Sequence, residues 1–164
     1  SVTVGAMISV GKMWLKPRAA LAAGFVADRF GITRSIIWLF ALLIGAYCIA
    51  AFVPGKENFI SVMLISLTIA SITVFAMRGI YFALLEEGGV PSTVTGTAAG
   101  VISAIAFTPD IFMPLLGGMI IDQDPGPAGY RYYFLATAAI CGVGLIAALI
   151  ILYRIVKPLR AGES

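Results

Sequence analysis

The sequence predicts an all-α, polytopic membrane protein with five transmembrane helices. Of 164 residues, 60% are hydrophobic and only 12% charged, with a mean hydropathy of +1.02. Soluble domains carry about 45–50% apolar and about 25% charged residues. Five apolar runs are each long enough to cross about 30 Å of hydrocarbon at a rise of 1.5 Å per residue. Backbone groups have no water to bond in lipid, so these runs are helices rather than open strands. The stretch Gly24-Phe25-Val26-Ala27-Asp28-Arg29-Phe30-Gly31 ends the first run with an acid and a base and turns at once into the second. Asp and Arg are costly in hydrocarbon, so this corner marks a membrane surface.

The first run covers residues 4–27 and carries Lys12, Lys16 and Arg18 around Pro17. Two pieces broken at Pro17 would each be too short to cross, so one kinked helix facing a wet cavity is expected. Residues 19–24 then offer small side chains for close helix contact. The second run, 35–53, has no charge. The third, 59–85, is interrupted only by Arg78, and the fourth, 93–121, only by Asp110. The fifth, 132–153, is again uncharged until Arg154 follows it. Pro54-Gly55-Lys56-Glu57 reads as a turn, and Ser92 or Thr93 as the cap of the fourth helix. The acidic segment 122–129 is the longest connection.

Short loops rich in Lys and Arg stay on the cytoplasmic side. With the Asp28-Arg29 corner inside, the inner set is Arg29, Arg34, Arg154, Lys157 and Arg160, against Lys56 and Arg131 outside. The expected C-terminus is cytoplasmic, in the cell membrane, which is the inner membrane of a Gram-negative cell. An outward N-terminus and five spans together suggest that a beginning is missing. Basic residues lie at loop ends and inside spans rather than on one polar face, which excludes a nucleic-acid partner. Histidine is absent, and with it the commonest metal ligand. Cys48 and Cys141 have no ligand spacing and read as packing residues. No metal or cofactor is expected.

The hairpin Gly24-x-x-x-Asp28-Arg29-x-Gly31 resembles the cytoplasmic signature loop of the major facilitator superfamily, which joins helices two and three and recurs between helices eight and nine. The run Glu86-Glu87-Gly88-Gly89-Val90-Pro91 with Gly96-Thr97-Ala98-Ala99-Gly100 looks like the family's junction of helices ten and eleven. Gly117-Gly118-Met119-Ile120-Ile121-Asp122, with an aromatic-led last helix, looks like helices eleven and twelve. The resemblance therefore implies that residues 1–164 are helices eight to twelve of a twelve-helix carrier, a partial bundle that lacks an N-terminal partner bundle. Organophosphate and organic-anion carriers are the nearest flavour. What it implies is a secondary transporter of a small, anionic solute, working by alternating access. The loop motif comprises Gly24, Asp28, Arg29, Gly31 and Arg34; Ile32 and Thr33 stand where the family usually has two basic residues.

The ionisable residues within spans are the candidates for the substrate path: Lys12, Lys16, Arg18, Arg78 and Asp110. Asp110 lies about 16 Å from the outer end of its helix, and Lys12 and Lys16 about 12 and 18 Å from the outer end of theirs. Arg78 lies about 12 Å from its inner end. A dozen ångströms of depth are thus expected to separate Asp110 from Arg78, leaving Lys12 or Lys16 as its partner. Arg78 is read as snorkelling or facing a cavity beside Tyr81 and Phe82. Gly96-x-x-x-Gly100 reads as a close helix contact. Trp14, Trp38, Tyr130, Tyr132 and Tyr133 suit interfacial belts. An intramembrane hydrolase would need a nucleophile beside a base, but Ser103 and Asp110 do not share a helix face. A structural subunit without transport would account for the spans but not for deep charges of both signs.

Overall fold

A computed structural model of the chain describes residue 21 and residues 23–53 and 60–158. Helix α1 is described over residues 23–30. It is followed by α2 (Ile32–Phe52), α3 (Ile60–Ile80), a short α4 (Ala83–Glu87), α5 (Thr95–Gln123) and α6 (Pro127–Ile151). The last helix runs on through a π-helical turn, Leu152–Val156. There is no strand among the described residues. Among the described residues, four helices are long and apolar enough to cross a membrane: Ile32–Phe52, Ser61–Ile80, Thr95–Gln123 and Pro127–Val156. The chain is a multi-pass helical membrane protein. Most of the expected first span, including Lys12, Lys16 and Arg18, lies outside the described residues, as does the Pro54–Glu57 turn.

Helix α2 is the hub, packing along α6 and α3 and touching α4 and the π turn. Small side chains make this possible. Ala46, Ala50 and Ala51 of α2 and Ala138, Cys141 and Ala148 of α6 are buried. Gly144 brings its backbone against the Phe40 ring with no room for a Cβ. Lipid tails are as apolar as leucine, so helices gain from close backbone approach rather than from hiding large side chains. The large ones accordingly face outward: Trp38, Leu42, Ile49, Ile105 and Ile111 are all exposed. Buried hydroxyls of α3 and α6 are satisfied within their own helices, Thr73 donating to the Ile69 carbonyl and Thr137 to the Tyr133 carbonyl. Cys48 and Cys141 are free, in keeping with packing roles.

Several boundaries differ from expectation. The Asp28-Arg29 pair belongs to the last turn of α1, and the corner is Gly31 alone, at φ 92°. Only glycine holds that conformation cheaply. The third span ends at Ile80, and α4 follows after a turn at Tyr81-Phe82. Helix α5 has Val94 at its N-cap with no side-chain bond, so neither Ser92 nor Thr93 caps it; the Thr95 hydroxyl donates back to the Pro91 carbonyl instead. Helix α6 begins at Pro127, five residues before the expected Tyr132, which shortens the acidic connection. Proline's fixed φ suits a first helical position, and Gly126 at φ 132° supplies the turn before it.

The glycine expectation also changes. A Cβ on Gly96 or Gly100 would meet nothing within 4 Å, so that pair makes no close contact among the described residues. The tight glycine of α5 is Gly117, its only buried residue, where a Cβ would fall 2.8 Å from the Tyr133 ring. Helix α5 therefore packs closely against α6 along one strip and is otherwise only lightly covered among the described residues.

Candidate functional site

Helix α5 carries Asp110 directly after Pro109 and four residues before Pro114. Neither proline has an N–H, so the carbonyls of Ile105 and Asp110 have no partner along the helix. Helix α3 carries Arg78 in its last turn. The two side chains meet. Arg78 Nη2 donates to Asp110 Oδ2 at 2.6 Å and to Oδ1 at 2.8 Å. Both carboxylate oxygens thus share a single nitrogen, and no other described residue takes a hydrogen bond from the guanidinium. Phe107, one turn before Asp110, lies 5.3 Å from the guanidinium carbon. One stretch of α5 therefore supplies both a counter-charge and a π face to the same cation.

This pairing overturns the expected one. The separation of a dozen ångströms came from measuring the two residues from opposite membrane faces. In a core of about 30 Å, a residue about 16 Å below the outer side lies about 14 Å from the inner side. Arg78, at about 12 Å, is then at nearly the same depth, and the long guanidinium arm reaches across. Arg78 neither snorkels nor stays unpaired, and Lys12 and Lys16 are not needed as partners of Asp110.

The pair faces a cavity of about 610 Å³ bounded by α2, α3, α5 and α6. Tyr47 of α2, Tyr81 of the turn after α3 and Tyr133 of α6 line it with Met77, Met113 and Thr137. The side chains of Arg78 and Asp110 are 43% and 53% exposed, so a solute in the cavity reaches both. Tyr133 is therefore a cavity residue rather than a belt aromatic, while Tyr130 and Tyr132 remain outward. Phe82 is outward too, its ring 4.0 Å from that of Tyr81. A larger furrow of about 820 Å³ along α1, α2 and α3 is lined by Val26, Phe30, Trp38 and Leu42, with Ser35 its one hydroxyl among the described residues. No charged group lines it among the described residues, and this lining suits lipid rather than a polar solute. No group of three or more potential metal-binding side chains occurs among the described residues.

The signature-loop residues fall into two groups. Asp28, Arg29 and Arg34 are exposed at the α1–α2 corner, and Gly24 has open space beside it. The unexpected contact is at Thr33, which is almost fully buried. Its backbone N–H and its hydroxyl both donate to the Glu87 carboxylate, at 2.5 and 2.7 Å. A carboxylate on the first turn of α2 satisfies helix-end donors and opposes the positive end of the helix dipole.

Phe107 and the Thr33–Glu87 contact have no counterpart in the sequence reading, and Tyr133 has one only as a belt aromatic. The spacing of Phe107 and Asp110, three apart and on one helix face, was a readable signal. The Thr33–Glu87 contact joins residues 54 apart and had no local signal.

Two curated proteins of Escherichia coli strain K12 are similar to this chain. Inner membrane protein YqcE is 32% identical over 83 residues, 51% of this chain and 20% of that protein. Inner membrane protein YihN is 25% identical over 167 aligned residues, 98% of this chain and 39% of that protein. The chain thus spans well under half the length of either relative. No protein-family model matches. No solved structure matches.

Proposed function

We propose that this chain forms part of a secondary transporter of the inner membrane that moves a small organic anion by alternating access. The observation that carries the reading is the Arg78–Asp110 pair, half exposed in a tyrosine-lined cavity between four helices. Charges inside apolar spans are costly unless they serve a path or a partner. A pair sealed in protein would read as structural, whereas this one is open to a solute. Arg78 uses one nitrogen on Asp110, so the donors on Nη1 and Nε remain for a carboxylate or sulfonate. Three tyrosines supply hydroxyls and apolar ring faces for the rest of the molecule.

The superfamily resemblance supports the same reading. So does the similarity along nearly the whole chain to an inner membrane protein. Alternating access then needs a second helix bundle as the opposite wall of the cavity. The full-length gene product, reconstituted in liposomes, should take up a radiolabelled organic anion, and Arg78→Gln should reduce that uptake at least tenfold without reducing membrane insertion. Undiminished uptake in Arg78→Gln would remove the cavity from the path. The 164 residues alone should be inert in the same assay.

A further inference from the structure

We infer that the furrow along α1, α2 and α3 is a site for one phospholipid with an anionic headgroup, its acyl chain lying in the furrow and its phosphate held by Arg29 and Arg34. The inference does not rest on the transport reading. Among the described residues the furrow shares no lining residue with the tyrosine-lined cavity.

The furrow is built for hydrocarbon. Its floor is Ala23 of α1, Ser35 of α2 and Ala76 and Ile80 of α3, all buried. Its rims are Val26 and Phe30 of α1 and Trp38 and Leu42 of α2, all exposed. The Ser35 hydroxyl already donates to the Gly31 carbonyl at 2.9 Å, so it asks for no polar partner. A helix seated here would need small residues along the rims for close backbone approach. Bulky rims around a small-residue floor suit a flexible chain instead. Length points the same way. From Ser35 to Leu42 along α2, and from Ile80 back to Ile72 along α3, the walls run about 10–12 Å at the helical rise. Half of a hydrocarbon core of about 30 Å is about 15 Å. The furrow thus starts at the surface corner beside Gly31 and reaches most of the way to the midplane, the depth of one leaflet's chain.

Charge marks the headgroup end. Arg34 stands one turn before Trp38 on the same face of α2, and Arg29 flanks the Val26–Phe30 face of α1. Both are exposed, and among the described residues neither makes an ion pair. Asp28 is exposed as well but lies on the opposite face of α1 from Val26. Guanidinium groups bind phosphate oxygens through paired N–H donors. A zwitterionic lipid offers the same phosphate but adds a cation that two arginines repel, so basic residues beside a groove between membrane helices favour anionic headgroups. Trp38, one turn below Arg34, sits where headgroup gives way to chain, the depth that suits an indole.

Trp38 also supplies the probe. The full-length gene product is placed in phosphatidylcholine vesicles doped with phosphatidylglycerol or phosphatidylcholine brominated on its acyl chains. Bromine quenches an indole on contact, and the difference between wild type and Trp38→Phe isolates the Trp38 signal. Brominated phosphatidylglycerol should quench Trp38 with about fivefold higher apparent affinity than brominated phosphatidylcholine, the order of one basic group's attraction for anionic lipid. Arg29→Gln and Arg34→Gln combined should bring that ratio to one, while Arg29→Lys and Arg34→Lys combined should keep most of it. High salt should weaken the wild-type preference, because exposed charges are screened. Soluble glycerol phosphate should not compete, having no chain to seat. Equal quenching of the wild type by the two lipids would reduce the furrow to ordinary boundary lipid and overturn the assignment. So would a preference that survives in the double glutamine variant or is indifferent to salt. Absence of any Trp38 quenching would mean that protein covers the furrow, and competition by glycerol phosphate would leave a phosphate site without a lipid; either result also overturns it.

Discussion

Arg78 and Asp110 are held as much by geometry as by charge. The pair is about half exposed, and ion pairs of that kind contribute roughly 0.2–1 kcal/mol to stability. Its replacement should therefore be felt in transport rather than in folding. Arg78→Lys is the informative variant: an ammonium keeps the charge but loses the planar fork that contacts Asp110 on one edge and leaves another free. Thermal unfolding of Arg78→Lys in detergent should shift by no more than a few degrees, while its uptake of an organic anion falls severalfold. A large loss of thermal stability would instead make the pair a structural contact. At the α1–α2 corner, hydrogen bonds to a charged group are worth about 1.5–3 kcal/mol. Glu87→Ala should cost that order of stability, and Thr33→Val, which keeps the backbone donor, about half as much. Unfolding midpoints of the two variants provide the comparison.

Among the elements, α5 and α6 differ most in how glycine is used. Gly144 sits against Phe40 and Gly117 against Tyr133, whereas Gly96 and Gly100 face open space. Over-packing a tight site costs about 1–3 kcal/mol, while alanine in place of an unconstrained helical glycine gains up to about 1 kcal/mol. Gly144→Ala should thus lower the unfolding midpoint of the purified protein and Gly96→Ala should not. A loss at Gly96 as large as that at Gly144 would mean that α5 buries this face against something beyond the described helices. The motif Gly96-x-x-x-Gly100 was legible as a small-residue face, but its contact was not, because spacing states which side chains are small and not which helix lies opposite. The tight glycines were hidden for the same reason: Gly117 and Gly144 matter through aromatic rings on other helices.

For the whole molecule, the arrangement of basic residues predicts an inward C-terminus. Arg29 and Arg34 lie at the α1–α2 corner, Arg154 lies in the final turn of the last span, and Lys157 follows just beyond it. At the far end of α2, Arg131 stands 4.9 Å over the Phe52 ring, a position that suits an interfacial cation–π contact. A reporter fused after Gly162 should behave as cytosolic, and one placed at Asp124 as external. The reverse pattern would invert the α2–α6 orientation and place the Thr33–Glu87 contact on the outer surface.

Hydropathy alone determined that the chain is helical and membrane-embedded, because a run of some twenty apolar residues has few other stable states in lipid. It also determined the turn at Gly31 and the costly charges at Arg78 and Asp110, since each of these is a local conflict between a residue and its surroundings. Partnership is not local. The meeting of Arg78 with Asp110, of Thr33 with Glu87 and of Gly144 with Phe40 depends on how helices are set side by side. Depth along one helix, counted in residues, says nothing of the neighbour it faces. The early start of α6 at Pro127 and the break at Tyr81-Phe82 were likewise decided by chain geometry and packing, because hydropathy marks where lipid ends and not where a helix does. Only the tertiary structure turned two isolated charges into one neutral, solute-accessible pair.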